Sequence, residues 1–161
     1  MTETAIRRTA DGAFIEELER PALAVALGLE PHPEGGWYRR TWASTDALTL
    51  TAADGTTRTR PAGTLIVFLL PAGEASAWHR VSSTEIWITS GLGPVALELG
   101  GTGDAPATDA RVLLGTDVAA GETPQLEIAP DVWQRTLVAD HDALVSCLVS
   151  PGFDFADFTL E

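Results

Sequence analysis

A histidine and a glutamate six positions apart, His79 and Glu85, are the side chains best placed to do chemistry, within the segment GEASAWHRVSSTEIWITSG. Both numbers are odd, so the two side chains face the same way in an uninterrupted strand, whereas a turn at Ser82-Ser83 places them on neighbouring strands. Either arrangement lets them approach one another. We predict an acid–base pair in which Glu85 orients His79 and raises its pKa. The alternative is a buried polar pair whose members only satisfy one another.

The histidines are too few for an ordinary transition-metal site. The chain has three of them, and one imidazole with one carboxylate rarely holds a metal alone. His141 lies between Asp140 and Asp142, which is typical of an exposed turn, and His32 precedes Pro33, where we expect a residue at the rim of the site. We therefore expect no metal ligands and no cofactor. A metal site with unusual ligands is kept as a further alternative.

A second candidate site lies in the run WYRRTW, which has the composition of a strand. Its odd-numbered residues Trp37, Arg39 and Thr41 share one face, and its even-numbered residues share the other. A tryptophan beside an arginine on a pocket wall suits a planar or anionic ligand, through stacking and bidentate hydrogen bonds. The alternative is a packed aromatic ring with Arg39 in a structural ion pair with Glu34 or Glu85.

These residues need an all-β scaffold, and the order of elements along the chain provides one. Residues Ala13–Leu27 have the pattern of a helix, or of two short helices meeting at Pro21, and the turn sequence PHPEGG ends it. In that turn Glu34 begins a tight bend, and later in the chain Trp87 shares the face of His79; we expect Glu34 and Trp87 to contact the ligand. The predicted strands are Trp37–Ser44, Thr64–Leu70, Thr84–Thr89, Val95–Leu99, Ala110–Leu114, Gln125–Ile128, Thr136–Val138 and Ala143–Val149. Short strands with turns rich in glycine and proline are typical of a sandwich or barrel.

Composition limits the classes of partner. With 161 residues we expect one domain, 1–161, in which residues 1–12 form a loose N-terminal tail. The net charge of −13 argues against binding to nucleic acid or to an anionic membrane. The N-terminus lacks the apolar core of a signal peptide, and no run of residues is long enough to span a membrane. The single cysteine, Cys147, is expected to be a buried reduced thiol, in keeping with a cytoplasmic protein.

Four segments of the chain, PHPEGGWYRRTW, GEASAWHRVSSTEIW, LGTDVAAGETPQ and PGFDF, together resemble the small family known as cupin family five, long described as a domain of unknown function. The resemblance implies a double-stranded β-helix (a jelly-roll barrel) that forms a homodimer and has a pocket in the barrel mouth. Cupins usually carry a second histidine where this chain has Val81, and another where it offers Gln134 or Arg135. These departures favour a pocket without metal, in which Gln134 contacts the ligand.

The resemblance and the residues together favour an enzyme that moves a proton on a small polar substrate, sugar-like or bearing a carbonyl group, without a metal. It would be an isomerase, epimerase or lyase in which His79 is the base, Glu85 its partner and Arg39 the clamp for an oxygen atom. A module that binds a small ligand without turning it over uses the same residues, so both functions stay open. Fold alone does not choose between them.

Overall fold

The protein is built from fifteen short strands and one short helix in the computed structural model, which describes residues 2–161. In chain order the elements are β1 (Thr4–Arg8), β2 (Phe14–Glu19), α1 (Ala22–Leu27), β3 (Glu30–Pro31), β4 (Trp37–Ala43), β5 (Ala47–Thr51), β6 (Thr57–Pro61), β7 (Thr64–Leu70), β8 (His79–Val81), β9 (Thr84–Leu92), β10 (Val95–Leu99), β11 (Ala110–Leu114), β12 (Gln125–Ile128), β13 (Gln134–Thr136), β14 (Ala143–Ser150) and β15 (Phe158–Leu160).

Two antiparallel sheets form the barrel. The larger sheet has six strands in the order β12-β9-β14-β7-β4-β3, and the smaller has five in the order β11-β10-β13-β8-β15. The pairs β1–β2 and β5–β6 form two separate hairpins. This is the all-β double-stranded β-helix with a short N-terminal helical segment that the sequence predicts.

The barrel core lies between the two sheets. It includes Phe68 and Trp87 from the larger sheet and Leu97 from the smaller one. β7 is apolar on both faces because a second core lies behind it, where Leu69 and Trp37 pack against α1. The continuous apolar run of Leu65–Leu70 predicts a central strand between two layers, and β7 is indeed paired on both sides.

The N-terminal region differs from its prediction. The helix covers only Ala22–Leu27, and Phe14–Glu19 is a strand paired with Thr4–Arg8, so the predicted loose tail contains a strand. Met1 of that tail lies outside the described residues. The physical reason is that β2 half-buries Glu16 and Leu18, and β1 buries Ala5 and Arg7, at alternate positions, a period of two that a helix cannot satisfy.

Most of the other predicted strands are present. Four have the predicted bounds, and Thr136–Val138 is replaced by Gln134–Thr136. The hairpin β5–β6 and the short strands β8 and β15 were not predicted, because their polar or very short sequences carry little hydrophobic pattern. No helix within residues 2–161 has the length and apolar character needed to span a membrane.

Candidate functional site

A cavity of about 540 Å³ opens between the two sheets. Aromatic side chains form much of its wall, and a cluster of ionisable side chains lies within it. The lining side chains used below are His32, Glu34, Tyr38, Arg39, Arg40, Phe68, His79, Glu85, Trp87, Cys147, Phe153 and Phe155. Seven of these, including Glu34, His79 and Glu85, are buried. The cavity therefore holds buried polar groups in a largely apolar surrounding.

The loop before β4 brings Glu34 into this cavity. His32 N–H donates to the carbonyl of Gly36 at 2.9 Å, and Ala77 N–H donates to the carbonyl of Glu34 at 2.7 Å. Gly35 and Gly36 have φ of 112° and 71°, where side chains are strained. A Cβ on Gly35 would collide with the carbonyl oxygen of Ala75, and one on Gly36 would lie 2.6 Å from Phe68 Cζ. The glycines thus allow the loop to fold tightly against the barrel.

His79, at the start of β8, is held in one tautomer by the backbone. Its Nδ1 lies 2.8 Å from the carbonyl oxygen of Ala77, which can only accept, so Nδ1 carries the proton. The other ring nitrogen, Nε2, lies 3.2 Å from Glu34 Oε2. Burial lowers the pKa of His79 to about 4, against the raising effect of the Ala77 bond, so the ring is neutral near pH 7.

The partner of His79 is thus Glu34 and not Glu85, and the predicted rise in the pKa of His79 is wrong. Burial, and next the nearby charge of Glu85, raise the pKa of Glu34 well above its ordinary value. A protonated Glu34 can donate its Oε2 proton to the unprotonated Nε2 of His79. The two groups form a His79–Glu34 pair that shares one proton and carries no net charge.

Glu85, at the start of β9, is a second carboxyl group with a shifted pKa. Burial raises its pKa to about 7, partly offset by the hydrogen bond from Gln134. Gln134 Nε2 donates to Glu85 Oε2 at 2.7 Å, and Trp87 Nε1 donates to Gln134 Oε1 at 2.9 Å. Gln134 therefore positions Glu85 from behind the cavity wall. Cys147 is a buried free thiol, as predicted, and burial raises its pKa well above the ordinary value.

The structure does not bring the three predicted ligand-binding residues of β4 together in the cavity. Trp37 does not line the cavity: its ring is fully buried in the core beside α1, and its Nε1 donates to Glu74 at 3.0 Å. Thr41 is exposed and donates to the carbonyl of Leu65. Arg39 reaches the cavity wall, but its Nε donates to the carbonyl of Leu27, so neither predicted ion pair of Arg39 forms.

The opposite face of β4 supplies the cavity wall. Tyr38 pairs with Phe68 across the β4–β7 ladder, and both side chains pack in the barrel. Arg40 lies at the cavity, where its Nη2 donates to the carbonyl of Phe153 at 2.9 Å. A bulge between Arg40 and Trp42 then shifts the register. The faces were predicted wrongly because both carry an aromatic ring and an arginine, so composition alone does not distinguish them.

Two further groups of cavity residues were missed. His32 is not a rim residue but a buried one, 5% exposed. Phe153 and Phe155, from the C-terminal PGFDF segment, line the cavity and pack against each other with ring centroids 5.0 Å apart. Two features of the sequence could have indicated these residues. They are the alternation of positions in PHPEGG before β4 and the density of phenylalanines near the C-terminus.

The residues of the cavity do not fit a metal ion. Within residues 2–161, no three side chains of His, Cys, Asp or Glu are grouped so that they could hold one. Both nitrogens of His79 are engaged by Ala77 and Glu34. The third histidine, His141, lies outside the cavity lining, with its Nε2 2.8 Å from the carbonyl of Pro94.

Two antiparallel sheets closed over one polar cavity define a cupin barrel. A model of the family described as "Cupin superfamily (DUF985)" matches residues 22–161, and the chain belongs to this family. The resemblance seen in the sequence is thereby confirmed.

Solved structures agree with this assignment. A hypothetical protein from Leishmania major is 30% identical over 88% of each chain, with a TM-score of 0.74. A protein from Shewanella oneidensis is 33% identical over 86% of this chain and 82% of the other, with a TM-score of 0.72. A dTDP sugar isomerase from Desulfovibrio desulfuricans, 18% identical over 79% and 82% with a TM-score of 0.52, shares the fold alone. None of the curated proteins compared with the chain matches it.

Proposed function

We propose that this cupin is a metal-independent enzyme that moves a proton at a carbon next to a carbonyl group, as an isomerase, epimerase or lyase does. The observation that carries the proposal is the contact of His79 Nε2 with Glu34 Oε2, 3.2 Å apart inside an enclosed cavity. Proton transfer needs one group that accepts and one that donates near the working pH. The cavity contains candidates for both.

The His79–Glu34 pair is the accepting group in this proposal. Glu34 passes its proton to Nε2 of His79 as its own carboxylate takes up the substrate proton, which leaves His79 as an imidazolium next to a protonated Glu34 and the substrate as an enolate. Glu85 is the donating group, because a carboxyl group with a pKa of about 7 holds its proton in about half of the molecules at neutral pH. It gives that proton to another atom of the substrate. Exchange with solvent then restores both groups.

The cavity supports a small polar substrate. Its volume of about 540 Å³ falls in the range of small-molecule sites. Its wall includes the rings of Tyr38, Phe68 and Trp87, which limit water near the reacting atoms. Arg40 is the cation on the cavity-facing side of β4, and it takes the role of clamp that the sequence assigned to Arg39. An anionic group of the substrate would then stay near Arg40, away from the carboxyl groups.

The proposal is tested by exchange of substrate hydrogen for deuterium in heavy water, followed by proton NMR. The probes are pyruvate, dihydroxyacetone, D-fructose and D-fructose 6-phosphate, which each have hydrogen next to a carbonyl group. Wild-type protein is expected to accelerate exchange in at least one probe over heat-denatured protein. His79→Gln is expected to reduce that rate by about 10²–10⁴-fold, the usual contribution of a general base.

Glu98→Gln serves as the matched control, because Glu98 is a buried carboxylate that does not line the cavity. It is expected to exchange at the wild-type rate. Exchange by His79→Gln as fast as by wild type, or no exchange of any probe by wild type, would rule out the proposed reaction.

A second candidate function is a module that binds a small ligand without changing it. It is favoured because the polar groups of the cavity already have partners within the protein. His79 contacts Ala77 and Glu34, and Glu85 accepts a hydrogen bond from Gln134. Such a module would bind a probe, seen as a change in the fluorescence of Trp87 in the cavity wall, while no hydrogen of that probe exchanges. A cytoplasmic homodimer stays a prediction from the sequence.

A further inference from the structure

His32 is a third ionisable group of the cavity, and the reaction proposed above does not use it. It opens the PHPEGG turn, two residues before Glu34, and its side chain lines the same cavity while being 5% exposed. It contacts the His79–Glu34 pair through Glu34, on the Nδ1 side of its ring. Its role therefore has to be derived from its own hydrogen bonds and surroundings.

The backbone of the turn sets the tautomer of His32. The N–H of Glu34 donates to His32 Nδ1 at 3.3 Å, so this nitrogen is an acceptor and the ring proton is on Nε2. Glu34 Oε2 lies 3.4 Å from the same Nδ1. The turn thus presents an N–H group on the opposite edge of the ring.

That N–H edge is open to the cavity. Within residues 2–161, no acceptor bonds to His32 Nε2. This atom is also not one of the three fully buried side-chain nitrogens that lack a partner there, so it keeps some accessible surface. The ring lies in a cage of aromatic neighbours that fixes its orientation. Its centroid is 4.6 Å from that of Tyr38, 5.7 Å from that of Phe155 and 5.8 Å from that of Phe158.

The same cage keeps the ring uncharged. Burial, followed by the charges of His79 and Arg7, lowers the pKa of His32 to about 3. A neutral imidazole N–H is a hydrogen-bond donor that does not give up its proton to an enolate, whereas an imidazolium would protonate it. This property suits a group that stabilises developing negative charge.

We infer that His32 donates a hydrogen bond from Nε2 to the carbonyl oxygen of the substrate, and so stabilises the negative charge that develops there as the His79–Glu34 pair removes the neighbouring proton. The inference rests on the proposed function and assigns a catalytic residue to it. No covalent bond forms at His32, and its proton stays on Nε2 throughout. Fixed donors of this kind act strongly because they are already oriented towards the charge.

Two variants test the inference in the exchange assay with the probe that wild-type protein exchanges fastest. His32→Phe keeps a ring in the aromatic cage and removes the donor, and is expected to lower kcat for exchange by about 10²–10³-fold, with little change in KM. His32→Gln keeps an N–H donor and is expected to recover part of the loss. A purely structural role of the ring predicts instead that Phe is tolerated better than Gln.

A second measurement does not depend on turnover. Nitrogen-15 NMR of histidine-labelled wild-type protein is expected to show His32 with the proton on Nε2 and an unprotonated Nδ1 from pH 5 to 8. A proton on Nδ1, a charged ring, or a His32→Phe variant with wild-type kcat would overturn the inference and leave the proposed function standing. A wild type that exchanges none of the four probes would overturn the proposed function, and the inference with it.

Discussion

The molecule contains two kinds of buried glutamate, one on the outer side of the barrel and one in its cavity. Glu98, 6% exposed, accepts hydrogen bonds from Arg111 Nη2 at 2.7 Å and from Arg135 Nε at 2.8 Å. These bonds lower its pKa. Glu85 is 7% exposed, but its side-chain partner is the neutral Gln134, and burial raises its pKa to about 7.

The comparison shows that two carboxyl groups with nearly equal exposure can have pKa values shifted in opposite directions. Glu98 is an ionised group compensated by two guanidinium groups, which is the pattern of a structural ion pair. Glu34 and Glu85 are buried carboxyl groups without a guanidinium partner, and burial raises the pKa of both. A buried carboxyl group without a cation costs stability, and such groups cluster at functional sites. The cavity therefore contains the groups that need a functional explanation.

The largest expected effect comes from removing the carboxyl group of the His79–Glu34 pair. Glu34→Gln keeps the size of the side chain but can no longer take part in proton sharing with Nε2 of His79. Exchange of the best probe is expected to fall by about 10²–10⁴-fold, since a general base is lost. The measurement is deuterium uptake by NMR, with Glu98→Gln beside it. Equal losses in the two variants would remove the distinction between cavity and outer glutamates.

The next-largest effect is on stability. Its dependence on pH has opposite signs for Glu85 in the cavity and for Glu98 on the outer side of the barrel. The pKa of Glu85 is raised in the folded state, from 4.5 to about 7, so its contribution is present below pH 4.5 and is lost as pH rises through about 7. The loss is on the order of 3 kcal/mol for a shift of this size. The free energy of unfolding of wild type relative to Glu85→Gln is therefore expected to fall between pH 4.5 and 7, as measured by urea denaturation.

Glu98 provides the opposite slope in the same experiment. Its pKa is lowered in the folded state, so its contribution is present above the ordinary value of 4.5 and is lost as pH falls through the folded pKa. Glu98→Gln is expected to lower Tm at pH 7 and to have a smaller effect near pH 3. A difference between wild type and Glu98→Gln that grows towards low pH would contradict the ion-pair interpretation.

The smallest expected effect concerns Tyr38, whose ring lines the cavity beside His32. Burial raises the pKa of its hydroxyl, so the group stays protonated and is not a base near neutral pH. Tyr38→Phe keeps the ring and is expected to exchange the best probe at nearly the wild-type rate. A loss as large as that of His79→Gln would mean that the phenol, and not the histidine and glutamates, transfers the proton.

The sequence predicted the fold and part of the site. His79, Glu85 and Trp87 lie on consecutive strands, so local alternation was enough to predict that they line one cavity. Glu34 as the partner of His79 was not predicted, because the contact depends on a loop that folds back over 45 positions of sequence. Such a closure is set by the Ala77–Glu34 backbone bond and by two glycines, and local pattern does not encode it.

The strand β4 illustrates the other limit. Trp37 was expected in the pocket and lies in the second core, because α1 and the N-terminal hairpin cover the outer face of the larger sheet. Those elements were predicted as a helical segment and a loose tail, and neither was assigned to a face of the sheet. Because β4 has an aromatic ring on each face, its sequence pattern fits either orientation of the strand. The missed hairpin was thus the source of the misassigned face.

The most direct test of the central claim is a carbon-13 NMR titration of the glutamate carboxyl groups, with assignments from Glu34→Gln, Glu85→Gln and Glu98→Gln. The claim is that the cavity glutamates hold protons near neutral pH while the outer one does not. We predict that Glu85 titrates near pH 7, that Glu34 also titrates above its ordinary value, and that Glu98 titrates below 4.5. If all three titrated together at or below 4.5, the cavity would contain ordinary carboxylates and the proton-transfer site would be contradicted.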